Sequence, residues 1–168
     1  MIKKRVEMDD AEAIYNLGCY YRRLGSPQDK SKAVGLFLQA GELGCAKSYY
    51  NIGYIYANGK GVERDTKKAK HYWELAAIGG NEYARHNLGI VEGRAGNYDR
   101  ALKHYMIAVG SGYHGSLKMI QQMCKDSHAT KDDYAKALKA YQAYLSEIKS
   151  DDRDKAAAYN EEEYKYYE

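Results

Sequence analysis

A chain of 168 residues suffices for one domain with a sizeable core, or for a short array of small units that share one. Hydrophobic residues make up 45% and charged residues 29%, which excludes a disordered chain. The formal charge of +3, against 26 basic and 23 acidic side chains, gives little ground for an electrostatic nucleic-acid footprint.

The opening MIKKRVEMDD carries basic residues with no apolar run behind them, so it reads as neither a signal peptide nor a membrane anchor. Residues 1–9 are expected to form a leading helix or cap, with Lys3, Lys4 and Arg5 on a solvated face. From there the chain repeats itself. AEAIYNLGCYY, AKSYYNIGYIY and EYARHNLGIVE place Gly18, Gly53 and Gly89 35 and 36 residues apart, each after Leu17, Ile52 or Leu88 and after Asn16, Asn51 or Asn87. The second halves, KAVGLFLQAGELG, KAKHYWELAAIGG and RALKHYMIAVGSG, put Phe37, Trp73 or Tyr105 four residues after Ala33, Ala69 or Ala101. Ala40, Ala76 or Ala108 follows three residues later, and apolar residues at i, i+4 and i+7 are one face of a helix. The single proline, Pro27, and the scarcity of β-branched runs agree with helices and almost no sheet.

A fourth unit is degenerate: Ser116, Ile120, Ala137 and Tyr141 keep the frame, while Gln121 replaces the helix glycine. The units are read as about 10–45, 46–80, 81–112 and 113–150. Residues 151–168 break the pattern, and their alanine centre suggests a capping helix from about Asp152 with an acidic, tyrosine-rich tail.

ANGKGVERDTKKA sets two glycines and a lysine ahead of a helix, as a phosphate loop would. Neither G-x-x-x-x-G-K-[ST] nor G-x-G-x-x-G is present, and the third unit shortens the same stretch to RAGNYDRA. An interhelix turn explains both facts, because it needs only a left-handed glycine and a side-chain cap. Asp29, Asp65, Asn97 and Asp133, each four residues before the repeat alanine, are the expected caps.

Cys19, Cys45 and Cys124 are odd in number and far apart, so neither a disulfide framework nor a zinc site is expected. The five histidines form no H-x-x-x-H pair, and no G-x-S-x-G frames a nucleophile. No cofactor, no metal and no enzymatic activity are therefore expected, and the protein is read as intracellular and cytoplasmic, because its thiols suit a reducing compartment.

The recurring A-x-A-x-x-x-L-G-x-x-Y, the loop G-x-G-V-x-x-D and the stretch K-A-x-x-x-W-x-x-x-A-A-x-x-G resemble the Sel-1-like repeat family. AKSYYNIGYIYANGKGVERDTKKAKHYWELAAIGG matches almost throughout. The resemblance implies an all-α fold, an α/α superhelix (solenoid) akin to tetratricopeptide arrays, into which the four helix pairs and the C-terminal capping helix would fit. It also implies an adaptor that holds other proteins. RALKHYMIAVGSGY further looks like algal chains in which such repeats follow a RING-type zinc domain, although no RING ligands are present here.

In the related arrays the first helix of each pair lines a concave face. Asn16, Asn51 and Asn87 would form a ladder there, able to pair with both polar groups of an extended peptide backbone. Tyr50, Tyr54, His86, Arg22 and Arg94 share that face, and tyrosine and arginine are common interface anchors. The bland alternative is that the asparagines bond from one helix pair to the next. The leading reading is a scaffold that binds a protein or peptide on the concave surface. A structural spacer or a fragment of a larger, ubiquitin-linked protein comes second, and nucleic-acid binding third.

Overall fold

The computed structural model describes residues 10–164, with side chains described through residue 151. The expectations for residues 1–9 and for the last four residues of the tail lie outside this range. Among the described residues there are eight helices and no strand: α1 (Ala11–Leu24), α2 (Pro27–Glu42), α3 (Ala46–Asn58), α4 (Thr66–Ile78), α5 (Glu82–Arg94), α6 (Tyr98–Gly110), α7 (Gly115–Lys125) and α8 (Lys131–Tyr164). α1 packs on α2, α3 on α4 and α7 on α8, as the repeats require.

The chain divides into two compact units, Met1–Ala101 and Leu102–Glu168. In the first, the repeat residues are the core. Ala33, Phe37, Ile52 and Ile55 form one buried cluster, and Ala69, Trp73, Ala76, Ala77, Ala84 and Leu88 form a second. Within each of the first two pairs the glycine of the first helix faces the aromatic of the second: a Cβ on Gly18 would lie 2.8 Å from the Phe37 ring, and one on Gly53 2.5 Å from that of Trp73. The missing side chain lets the helices close on a large buried ring. In the second unit, Ala108, Val109, Leu117, Ile120 and Ala137 are buried, and Ala108, Ile120 and Ala137 hold repeat positions.

Two expectations about helix ends need correction. Asp65 caps α4 as read, accepting from the Lys68 amide at 2.9 Å. In the first and fourth units, however, the helix starts earlier. Ser26 caps α2, its hydroxyl accepting from the Asp29 amide and donating to the Asp29 carboxylate, and Thr130 precedes α8 in a capping box, its amide donating to the Asp133 carboxylate while its hydroxyl accepts from the Asp133 amide. A hydroxyl residue three positions ahead of each aspartate, with Pro27 at the first turn of α2, favours the earlier start. Asn97, the fourth expected cap, directs its amide to Glu92 Oε2 at 2.8 Å.

The second correction concerns the C-terminus. The helix expected from about Asp152 is present as the continuation of α8, which runs unbroken for 34 residues. No glycine or proline lies between Lys131 and Tyr164 to stop it.

Candidate functional site

The first helices of the first unit, α1, α3 and α5, carry the residues singled out in the sequence. Their three asparagines are not equivalent. Asn16 is exposed, Asn87 is half-buried and Asn51 is buried. The Asn51 amide is committed inside the protein: its oxygen accepts from Arg22 Nη1 at 2.7 Å, and its nitrogen donates to the Lys47 carbonyl at 3.0 Å and towards the Tyr15 hydroxyl at 3.4 Å. Asn51 thus ties α3 to α1. It sits one residue before buried Ile52, where the close approach of neighbouring helix pairs leaves no water to satisfy an amide.

The same network ties Tyr15 into the molecule. Burial raises the pKa of its hydroxyl above the ordinary 10.0, aided by a hydrogen bond involving Cys19 and opposed by Asn51 and Arg22. Its ring lies 5.8 Å from that of Phe37.

Tyr54 is half-buried on the next turn of α3. Lys60 Nζ lies 4.9 Å from the centre of its ring and donates to its hydroxyl at 3.2 Å. Tyr50, also half-buried, meets Tyr83 of α5 with ring centres 5.7 Å apart, and Tyr83 is 46% exposed. The structure therefore joins Arg22 with Asn51 through a hydrogen bond, and places Tyr50 against a tyrosine of the following first helix. Asn16, Asn87 and Arg94 belong to none of the side-chain hydrogen bonds of that cluster. Arg94 is exposed in the last turn of α5, and burial lowers the pKa of His86 below its ordinary 6.5.

One polar residue escaped the sequence reading. Glu92 is buried, with Lys70 Nζ at 2.6 Å and the Asn97 amide at 2.8 Å, and these two hydrogen bonds hold its carboxyl below the usual range. It occupies the place of Tyr21 and Tyr56 in L-G-x-x-Y, so the signal was a carboxylate where the other units have an aromatic. Lys70 comes from the preceding helix pair, and the bond links α4 to α5.

No helix among the described residues is long and apolar enough to cross a membrane, and none of their His, Cys, Asp and Glu side chains gather as a metal-binding group. Cys19, Cys45 and Cys124 are unpaired.

The family model of the Sel1 repeat matches residues 11–45 and 46–81, which are the first two helix pairs with their connecting turns. The chain carries two Sel1 repeats. Relatives agree with this assignment. The chain is 31% identical over 75 residues to a putative sel1-like repeat-containing protein, L21, of Acanthamoeba polyphaga mimivirus, which covers 45% of this chain and 14% of that protein. It is 25% identical over 107 residues to HRD3B, an ERAD-associated E3 ubiquitin-protein ligase component of Arabidopsis thaliana, covering 62% of this chain and 17% of the relative. The chain thus spans less than a fifth of the length of either. Among solved structures, a Sel1 repeat protein from Oxalobacter formigenes superposes with a TM-score of 0.72 at 24% identity, over 86% of this chain and 62% of that one. Sel1 repeats commonly act as protein-interaction scaffolds, and the described residues share the all-helical fold of that solved Sel1 repeat protein.

Proposed function

We propose that the Sel1 repeats hold an extended peptide or a helix of another protein along the first-helix face of α1, α3 and α5, the face that is concave in tetratricopeptide arrays. The chain then acts as a non-enzymatic intracellular adaptor, in keeping with its three unpaired thiols. The observation that carries this reading is the Tyr50–Tyr83 pair. An aromatic pair bridging successive first helices, with one ring 46% exposed, offers large contact area at small conformational cost. Exposed Asn16 supplies a donor and an acceptor nearby on α1, with Asn87, His86 and Arg94 along α5. Asn51 contributes by holding Arg22 and not by gripping the ligand.

Site-specific crosslinking tests the reading. A photoreactive phenylalanine analogue at Tyr83 should crosslink a partner that the same analogue at Ile78, which is 80% exposed at the end of α4, does not. Equal labelling from both positions would remove the ligand from this face.

A second reading draws on the similarity to HRD3B: the repeats form a segment of a longer, ubiquitin-linked protein. Co-purification of the native protein with ubiquitin-ligase subunits would favour it.

A further inference from the structure

Three cationic residues line one small cavity between the two Sel1 repeats. Arg22 of α1, Lys30 of α2 and Lys60 of the turn after α3 line a space of about 200 Å3, with Tyr54 beside them and Ala33 and Ile55 as its apolar wall. Two of the three charges are held by side-chain contacts and the third has its stem packed. Arg22 is fixed by Asn51, Lys60 by the ring and hydroxyl of Tyr54, and the stem of Lys30 lies against Gly61, where a Cβ would run into it. Among the described residues none of the three forms an ion pair with a carboxylate. Like charges beside a low-dielectric wall repel, and a bound anion relieves that repulsion.

We propose that this cavity binds a carboxylate of an acidic peptide ligand. That the carboxylate is carried by a peptide rests on the scaffold reading above, whereas the preference for an anion rests on the cavity alone. The choice of carboxylate over phosphate comes from the turn itself. A phosphate cradle uses backbone N–H groups aimed at the anion. Here the amides of Gly59 and Lys60 both go to the Ile55 carbonyl, and that of Gly61 goes to the Gly59 carbonyl at 3.0 Å. Recognition is left to side chains, and the Arg22 guanidinium with one or two ammonium groups matches the two oxygens of a carboxylate. ANGKG is an interhelix turn whose lysine forms one wall of an anion site.

The test is an NMR titration of the full chain with three probes: acetyl-trialanine with a free C-terminus, the same peptide as its C-terminal amide, and inorganic phosphate. The free carboxylate should shift the Arg22 Nε–H and the Lys60 and Gly61 amides saturably, while the amide binds at least about tenfold more weakly, the loss expected when one charge-assisted contact goes, and phosphate, which finds no backbone N–H cradle in this turn, also binds more weakly. Lys60→Gln should weaken carboxylate binding by about tenfold with helicity unchanged, and Lys139→Gln, exposed on α8, should not. Equal binding of the amide, an equal response to phosphate, or an unaffected Lys60→Gln would overturn the proposal. Crosslinking from Tyr83 that persists despite a failed titration would retire the cavity and leave the scaffold standing, and the converse pair of results would do the opposite.

Discussion

At Gly53 the side chain is missing because Trp73 stands where it would be. A methyl group there would lie 2.5 Å from two atoms of the indole and 3.0 Å from the Ala69 carbonyl, and the buried ring has no space to retreat into. Gly35, in the middle of α2, has nothing within 4 Å of the same position. The two glycines therefore predict substitutions of opposite sign. Gly53→Ala should lose about 1–3 kcal/mol to overpacking, whereas Gly35→Ala should gain about 0.5–1 kcal/mol from helix propensity. Thermal melts of both variants check this, and a destabilised Gly35→Ala would show that propensity is not what distinguishes them. Gly53 was legible in the sequence, because it recurs with Gly18 and Gly89 while Gly35 does not recur. Asn51 was only half legible. Its recurrence marked it as special, but a repeated asparagine facing a ligand and one bonding to the next helix pair leave the same pattern, and only the positions of Arg22 and Lys47 decide between them.

The helices differ in how much of themselves they bury. In α3, Ser48, Asn51, Ile52, Gly53 and Ile55 are buried, so the element is held by neighbours on several sides. After Ala137, by contrast, the described side chains of α8 are exposed or at most half-buried, with Leu145 and Ile148 each 39% exposed. Helical hydrogen bonds alone give little net stability without such packing. Hydrogen exchange followed by mass spectrometry should therefore find the amides of residues 145–150 exchanging at least about a hundredfold faster than those of 52–55, a gap of roughly 2.7 kcal/mol in opening free energy. Matching rates would mean that α8 is buttressed along its length. The sequence marked where the repeat ended but not that the helix continued, because a composition shift such as SDDRDKAAA changes the face of a helix without breaking it. The starts of α2 and α8 differ from the repeat frame for a related reason: each holds two candidate caps, a hydroxyl residue and an aspartate three residues on, and the frame aligns only the aspartates.

For the molecule as a whole, two groups of the first unit couple folding to pH in the same direction. Burial holds His86 below its ordinary 6.5, so the unfolded chain takes up a proton that the folded chain resists. The hydrogen bonds from Lys70 and Asn97 hold Glu92 below its ordinary 4.5, so the folded carboxylate again resists a proton that the unfolded one accepts. Stability should be full at neutral pH, decline as pH falls below 6.5 towards the lower folded value of His86, and decline further below 4.5 through that of Glu92. Urea midpoints measured from about pH 7.5 down to about pH 3.5 would trace both steps. In Glu92→Gln the lower step should shrink, and stability at neutral pH should fall by about 1–2 kcal/mol, the lower end for a charged hydrogen bond because Lys70 reaches solvent. A variant whose acid profile overlays that of the parent would show that the link between α4 and α5 does not depend on this carboxylate, and that the place vacated by the repeat tyrosine is filled by packing alone.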